Sequence, residues 1–574
     1  MGRSVMLALA LSSIGCNQVF GISPLGPCRD EDGDGYDTCL PDCDDTNAAI
    51  RPDQPEICGN AIDDDCDGAP DQYCQGLGTF VSEHIGNDSN PGTQEQPLAT
   101  INQALAQAQQ IGHGVDVYIG EGLYPEDVAL VEGVSLFGGF ACQVGSCDWT
   151  ERVRPPNQTI SCIMPAPQAD PPDVDGVTAD ASITRDTVLD GICIDGLFGF
   201  ENGPRFAAFT IDGGAPIFRN SFIAPAGWLA DPPLLCDLGF SVEILSSGDT
   251  PLLIEDSTIM GPECGGDPGL GEMVAVQVSG NGKVEIRRSE VVINFAQKPY
   301  AIRLQDQARA SIQESNIGGG GCVGVALGEQ SLAVRIEDAA RAVIDRSYIN
   351  RLPLLCAATD GDTDFSNNPW CAGVSVEKGS LTLTNSVVYG LHTPRSAAVW
   401  VAAGPQTDVV INGNILVGSP PGDRMFTPPY WSAALVVDTI GGDYAAGRYR
   451  NNVLRGGSAA LMTRFGVFEQ GQGAHPRIEA LSHNNIIEVD VAYRSWNGVS
   501  ESLLNAVADL TSLSFASDNF GEDCLLDIEF RLAPGSPCID RGTAEEAPDH
   551  DFEGEPRPNG AAIDVGVDEL HPRE

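Results

Sequence analysis

From about residue 206 the chain alternates apolar and polar positions in short runs, and the runs recur. One phrase sets an aliphatic residue three places before a serine and a second aliphatic two places after it. It appears at Ile254-x-x-Ser257-x-Ile259, Ile286-x-x-Ser289-x-Val291, Ile312-x-x-Ser315-x-Ile317, Ile344-x-x-Ser347-x-Ile349 and Leu383-x-x-Ser386-x-Val388. Asparagine then replaces serine at Ile411/Asn414/Leu416, Tyr449/Asn452/Leu454 and Leu481/Asn484/Ile486, and Ile217/Asn220/Phe222 reads as an earlier copy. Upstream of most copies a small residue opens a second alternating run: "AVQV" at 275, "AIRL" at 301, "AVRI" at 333, "GVSV" at 373, "AVWV" at 398 and "ALVV" at 434. Period-two alternation marks strands with one buried face. Recurrence every 26 to 39 residues or so marks a solenoid of stacked coils.

Parallel strands stacked with no helix between them predict an all-β chain, a parallel β-helix whose coils bury their apolar faces against one another. The handedness of crossover connections makes it right-handed. The serine and asparagine column predicts a ladder in which each side chain satisfies its neighbour one coil away. Stacking the coils sets Gln277, Arg303, Arg335, Ser375, Trp400 and Val436 in one outward column, and Arg287, Gln313, Asp345, Thr384 and Asn412 in another. The entry segment "FVSEHIGNDSNPGTQEQPLATINQALAQAQQ" has a turn-rich start and an apolar helix from about Pro97, as a cap requires. It resembles the opening of pectin-lyase-like right-handed β-helix proteins of bacterial surfaces. "RLAPGSPCIDRGT" and "DHDFEGEPRPNGAAIDVGVDEL" resemble the closing segment common in that group. The resemblance implies a fold and says little of chemistry.

Charge narrows the partners. The formal charge of −50 over 574 residues would repel nucleic acid and anionic lipid, which leaves cations, a glycan or a surface protein. Eighteen cysteines, many in polar loops, suggest an oxidising compartment. The start of the chain agrees: Arg3, an apolar run from Val5 to Leu11 and small residues before Cys16 read as an export signal. "SSIGC" resembles the lipobox of bacterial lipoproteins, although Ser13 stands where leucine is usual. That resemblance implies lipidation of Cys16, an outer-membrane or cell-surface location and membrane contact through the lipid alone. Ordinary signal cleavage, with Cys16 in a disulfide, is the alternative.

Between Cys28 and Cys74 stand fifteen acidic residues against Arg29 and Arg51, with cysteines at 28, 39, 43, 58, 66 and 74. Carboxylates so crowded repel unless a cation sits among them. Asp30, Asp32, Asp34 and Gly35 reproduce the first half of a calcium loop, with Tyr36 offering its carbonyl. Pro41 stands at the twelfth position instead of glutamate, so the shell must close from Asp42, Asp44 or Asp45. Asp63, Asp65, Asp67 and Gly68 repeat the phrase, and Asp549, Asp551, Glu553 and Gly554 form a weaker third copy that reads as a turn. The stretch from Asp30 to Gly68 resembles the metal-binding motif of the MopE-like family, named for a copper-binding surface protein. The oxygen-rich donors, without His or Met, favour Ca²⁺ over copper.

The predicted organisation is a signal peptide at 1–15, a lipid-attached linker at 16–27 and an acidic cysteine-rich motif at 28–75. A cap at 76–112, the β-helix at 113–523 and a closing segment at 524–574 follow. Many β-helices cleave acidic polysaccharides, so lyase or glycoside hydrolase activity is the alternative to a binding or scaffolding role. Neither outward column gathers acids around a base, which argues against catalysis. The "GHG" at 112–114 precedes the coils and reads as a turn. Arg303 and Arg335 are candidates for orienting a sugar, or else surface arginines balanced by Asp306 and Asp338. Insertions at 225–240, 260–272, 318–331, 350–371 and 418–431 follow the Ile-x-x-Ser strand and would line one edge. They and their flanks carry Trp228, Trp370, Tyr430 and Trp431, which with Trp400 are candidates for stacking on sugars or anchoring a partner.

Overall fold

The structure is a computed structural model. It describes residues 43, 44, 47, 50, 51 and 66, and then 78–571 apart from 112–114, 144, 153–160, 165–173, 196–205, 225–237, 262–271, 294–297, 319–331, 351–370, 391–394, 420–429, 440–446, 458–461, 471–477 and 497–499. The chain divides into two compact units, Met1–Gly78 and Thr79–Glu574.

The larger unit is a right-handed parallel β-helix of three long sheets. One coil shows the plan: Cys371–Glu377 lies in the third sheet, Ser380–Thr384 in the first and Val387–Tyr389 in the second, and Arg395–Ala403 returns to the third. The two repeated phrases therefore serve different walls. The "AVRI"-type runs build the third sheet, and Ile-x-x-Ser-x-Ile bends from the first sheet into the second. Each wall stacks like on like, because parallel register repeats the same position one rung away. Ile254, Ile286, Ile312, Ile344, Leu383 and Ile411 pair in turn in the first sheet. Val276, Ile302, Val334, Val374, Val399 and Leu435 do so in the third. All are essentially buried, and each such side chain contributes about 1.5–3 kcal/mol relative to exposure.

The bend between first and second sheets carries the ladder. The amide of Ser257 donates to Ser289 Oγ, that of Ser289 to Ser315 and that of Ser315 to Ser347, at 3.1–3.2 Å. Ser386 donates to Asn414 Oδ1 at 2.9 Å, and Asn414, Asn452, Asn484 and Asn519 continue through both backbone and side-chain bonds. The sequence alignment is one residue out at the first copy. Phe218, not Ile217, pairs with Ile254, and Ser221, not Asn220, accepts from Ile192 and donates its amide to Ser257 Oγ. Asn220 instead occupies the position before the ladder, with φ of 47°. That position is left-handed on every rung from Asn220 through Asp256, Arg288, Glu314, Arg346, Asn385, Gly413, Asn451 and His483 to Asp518. A side chain there costs about 1–3 kcal/mol, which the ladder and the strand pairing on either side offset.

At the front, the helix Ile101–Ile111 lays Ile101, Ala104, Leu105 and Ala108 on the first coils. Its free amides are met by acids: Glu126 accepts from Ile101 and Asn102 at 2.7 and 2.9 Å, and Asp88 accepts from Ala99 and Thr100, each at 2.9 Å. At the back, Val491–Trp496 pairs antiparallel with Glu501–Leu504.

The last fifty residues run back along the flank. Asn451 exchanges two 2.7 Å bonds with Thr543, Arg450 binds Glu545 and Glu546, and His550 reaches Asp345, five rungs before Ser517. Beneath this strap Val387, Ile415, Val417 and Val453 pack with Leu532, Cys538, Val565 and Val567, and Phe552 meets Tyr348 edge-on. No helix among the described residues is long and apolar enough to cross a membrane.

Candidate functional site

The outward column predicted for the third sheet exists in register. Gln277 pairs with Arg303, Arg303 with Arg335, Arg335 with Ser375, Ser375 with Trp400 and Trp400 with Val436. It is not open to solvent, however: Gln277, Ser375, Trp400 and Val436 are all buried. The arginines are paired, but not with the acids the sequence suggested. Arg303 binds Glu337 at 2.7 Å, and Arg335 binds Glu337 at 2.9 Å and Glu377 at 3.1 Å. Arg335 also donates to Tyr300 Oη at 2.7 Å, and both guanidiniums lie 5.3 Å from the Tyr300 ring centroid. Asp306 and Asp338 instead sit in left-handed turns, and Asp306 accepts the Gly280 amide.

The electrostatics follow from this packing. Burial works against the charged form of Arg335, but Tyr300, Glu377 and Glu337 outweigh it and hold the guanidinium above its usual range. Burial pushes the Glu377 carboxyl up, with Arg335 opposing.

Further along the same sheet lies an aromatic patch that the sequence identified only through Trp431. The Trp431 ring meets Phe468 at 5.7 Å and Phe465 edge-on at 6.5 Å, and Arg395 and Arg494 lie 4.6 and 4.8 Å from it. Trp228, Trp370 and the side chain of Tyr430 lie outside the described residues. So does the bulk of every large insertion, as does the "GHG". The described ends do fix where the insertions attach: each leaves the second sheet and rejoins the chain at the third, as from Ala224 to Leu238 and from Ile349 to Cys371.

In the smaller unit a disulfide joins Cys43 to Cys66, with 5.4 Å between their Cα atoms, and the Cys43 amide points at Cys66 Sγ. The Asn47 amide donates to the Asp44 carbonyl at 2.9 Å. Asp44 is the one predicted metal ligand among the described residues; Asp30, Asp32, Asp34, Tyr36, Asp42, Asp45, Asp63, Asp65 and Asp67 lie outside them, as does Cys16. The bond nevertheless ties the residue between Asp42 and Asp44 to the residue between Asp65 and Asp67. The residues that flank both cysteines in the sequence are aspartates.

The weaker third acidic phrase contributes to a cluster that the sequence did not foresee. Ligand atoms of Asp551, Glu553 and Asp568 lie within 4.8 Å of one another, as do those of Asp551, Glu555 and His571. Asp551 is already occupied by the Glu555 and Glu569 amides, and the fully buried Arg557 guanidinium supplies positive charge beside it. Burial pushes the Asp568 carboxyl up to about 7. The signal missed here is long-range, since Asp568 reaches the phrase only through the strap's fold.

Together these features define a right-handed parallel β-helix with an acidic, disulfide-linked metal-binding motif ahead of it. That motif matches, over residues 42–72, the family model of the Cu-binding MopE metal-binding motif. No curated protein matches the chain. Among solved structures it is similar to a pectate lyase, Pel9A, at 13% identity and TM-score 0.38, over 86% of this chain and 96% of that one. It is also similar to tailspike protein 3 of bacteriophage CBA120 at 12% identity and TM-score 0.30, over 74% of this chain and 62% of that one. The surface protein and adhesin PfbA of Streptococcus pneumoniae matches at 11% identity and TM-score 0.22, over 74% and 95%. At such identities the likeness is one of winding alone.

Proposed function

We propose that the protein is a non-catalytic, exported surface lipoprotein in which a calcium-binding head precedes a β-helix that binds carbohydrate or a surface protein, or serves as a scaffold. The observation that carries the non-catalytic part is the pairing of Arg303 and Arg335. They are the arginines of the outward column that could act as a lyase base, yet both are held by Glu337, Glu377 and Tyr300, and Arg335 is shifted away from neutrality rather than towards it. Calcium binding is supported by the oxygen-only donor set and by the Cys43–Cys66 link between its two acidic runs. In this reading Asp30, Asp32, Asp34, Tyr36, Asp42, Asp44, Asp45, Asp63, Asp65 and Asp67 hold the ion and Cys16 carries the lipid.

The test joins a polysaccharide depolymerisation screen, with and without EDTA, to elemental analysis of the purified protein and fatty-acid labelling in cells. The expected result is no cleavage, bound calcium and label on Cys16. EDTA-sensitive cleavage of any polyuronate would replace this reading with the lyase. Copper in place of calcium would overturn the assignment of the ion.

A further inference from the structure

With 81 acidic residues against 31 basic ones, this chain has carboxylates in excess for every cation. Across the larger unit they are used: Arg303 and Arg335 share Glu337, Arg448 takes Asp408 and Glu479, and Arg464 takes Asp490. On the outer face of the first sheet they are not. Arg309 and Arg341 stand side by side in register on the strands Arg309–Gln313 and Arg341–Asp345, and Lys283 precedes them in the same column. Among the described residues, neither guanidinium has a hydrogen bond or an ion pair. The Lys283 ammonium bonds the Gly248 and Asp249 carbonyls and lies 4.0 Å from the exposed Asp249 carboxylate. Adjacent strands are about 4.8 Å apart, and like charges directly opposite one another destabilise a sheet. Nothing among the described residues offsets this repulsion, and a local rule broken without compensation marks a functional surface.

The acids nearby are engaged elsewhere. On the same face Glu285 is held by Arg185 and Arg287, and Asp345 by Arg346 and His550. Asp306 and Asp338, in the turns that lead into the two strands, pair with neither arginine, and Asp306 accepts the Gly280 amide. The column continues to Ser380 and ends at Asp408, whose carboxylate Arg448 takes. What remains is a cationic strip three rungs long and one residue wide that runs along the axis, with Arg341 exposed and Lys283 and Arg309 partly so. Shape and spacing choose the ligand. A nucleic-acid duplex or a bilayer would bring its charges up against many of the 81 acids, whereas screening over about 8 Å confines a thin chain's interaction to the strip. An extended acidic peptide sets its same-face carboxylates about 7 Å apart, out of step with the rungs. An acidic glycan carries its charges on successive sugar units, at an interval close to that of the rungs. We infer that Lys283, Arg309 and Arg341 bind a linear anionic polysaccharide, carboxylated or sulfated, laid across the rungs. This deepens, and rests on, the reading of the β-helix as a carbohydrate-binding element.

The full exported protein is titrated with oligogalacturonate, dextran sulfate, neutral dextran and poly-glutamate, beside the variants Arg309→Gln, Arg341→Gln and the two combined. The expected result is binding to oligogalacturonate, which identifies carboxylate as the recognised group, or to dextran sulfate, which identifies sulfate. That binding weakens as salt rises and falls about tenfold or more in the double variant. The unfolding midpoint of each variant should equal the parent's or exceed it, because like charges have been separated. A lower midpoint would make the cations structural, anionic-glycan binding unchanged in the double variant would put the contact elsewhere, and a preference for poly-glutamate would make the partner an acidic peptide; each overturns the strip. Binding to dextran alone overturns it as well, while the carbohydrate-binding reading stands. Failure to bind any of the three glycans would remove both.

Discussion

Asn452→Ala tests the ladder at its most heavily bonded rung. Asn452 is fully buried; its Oδ1 accepts from Asn414 N at 3.0 Å and Asn414 Nδ2 at 3.1 Å, and its Nδ2 donates to Ile411 O at 2.9 Å and Asn484 Oδ1 at 3.0 Å. Alanine removes all four bonds. Asn414 Nδ2 retains the Leu383 carbonyl and Asn484 Oδ1 retains the Asn452 amide, so the main orphan is the Asn414 backbone amide. Taking about 1–3 kcal/mol for that buried donor and about 1 kcal/mol for the bond lost at the Ile411 carbonyl, the cost comes to about 2–4 kcal/mol. Asn452→Ser should recover part of it, because Ser347 shows that a hydroxyl at this site can accept the preceding amide, at 3.2 Å. In a solenoid one midpoint does not describe every coil, so amide exchange is the sharper assay. Protection should fall at residues 411–416 and 449–454 more than in the coils around Ile254. Unchanged exchange at Asn414 in the alanine variant would refute the ladder's energetic role.

Two further predictions concern charge. His550 bonds Asp345 at 2.8 Å and Asp549 at 2.7 Å, with Arg346 also facing it; the bond to Asp345 raises the imidazole, and His550 leads the groups that hold Asp345 down against burial. The histidine's contribution is full below its unfolded value near 6.5 and disappears as pH rises through the raised folded one, whereas the aspartate's is present above 3.8 and lost as pH falls through its depressed value. Exchange protection around residues 549–551 should therefore be greatest between those two pH values and fade on the alkaline side, and His550→Gln should abolish that alkaline loss; a wild-type profile flat across neutrality would contradict it. Asp190, with a fully buried side chain, bonds both Arg152 and Arg219 at 2.8 Å, so Asp190→Ala should cost about 3–5 kcal/mol in denaturant unfolding by removing the carboxylate that these two buried guanidiniums share, and a change under about 1 kcal/mol would show that the triad is not stabilising.

The winding was legible because stacking repeats one pattern many times. Each Ile-x-x-Ser-x-Ile copy announces two walls and the bend between them, and the repeated copies correct one another. Where repetition thinned, at Ile217/Asn220/Phe222, the reading slipped by one residue. Sequence could not show the whole left-handed column, since Arg288, Glu314 and Arg346 are not residues that announce it. It placed the outward column of the third sheet correctly, yet could not tell that Ser375 and Trp400 would be buried or that Arg335 would choose Glu377 over Asp338. Those choices are made with neighbours one coil away, 34 to 42 residues along the chain for the arginines. The strap was harder still, because His550 and Asp345 are 205 residues apart.

The ladder has a direction. From Ile192 to Asn484 every backbone donor belongs to the earlier rung and every side-chain acceptor to the later one, so each coil offers the same socket behind it and the same plug ahead. A whole turn such as residues 289–314 can therefore be excised, leaving the Ser257 amide to meet Ser315 where it met Ser289. The axial reach of this protein is thereby set by how many turns are threaded together, a quantity that insertion or loss of complete turns can change without redesigning a single junction.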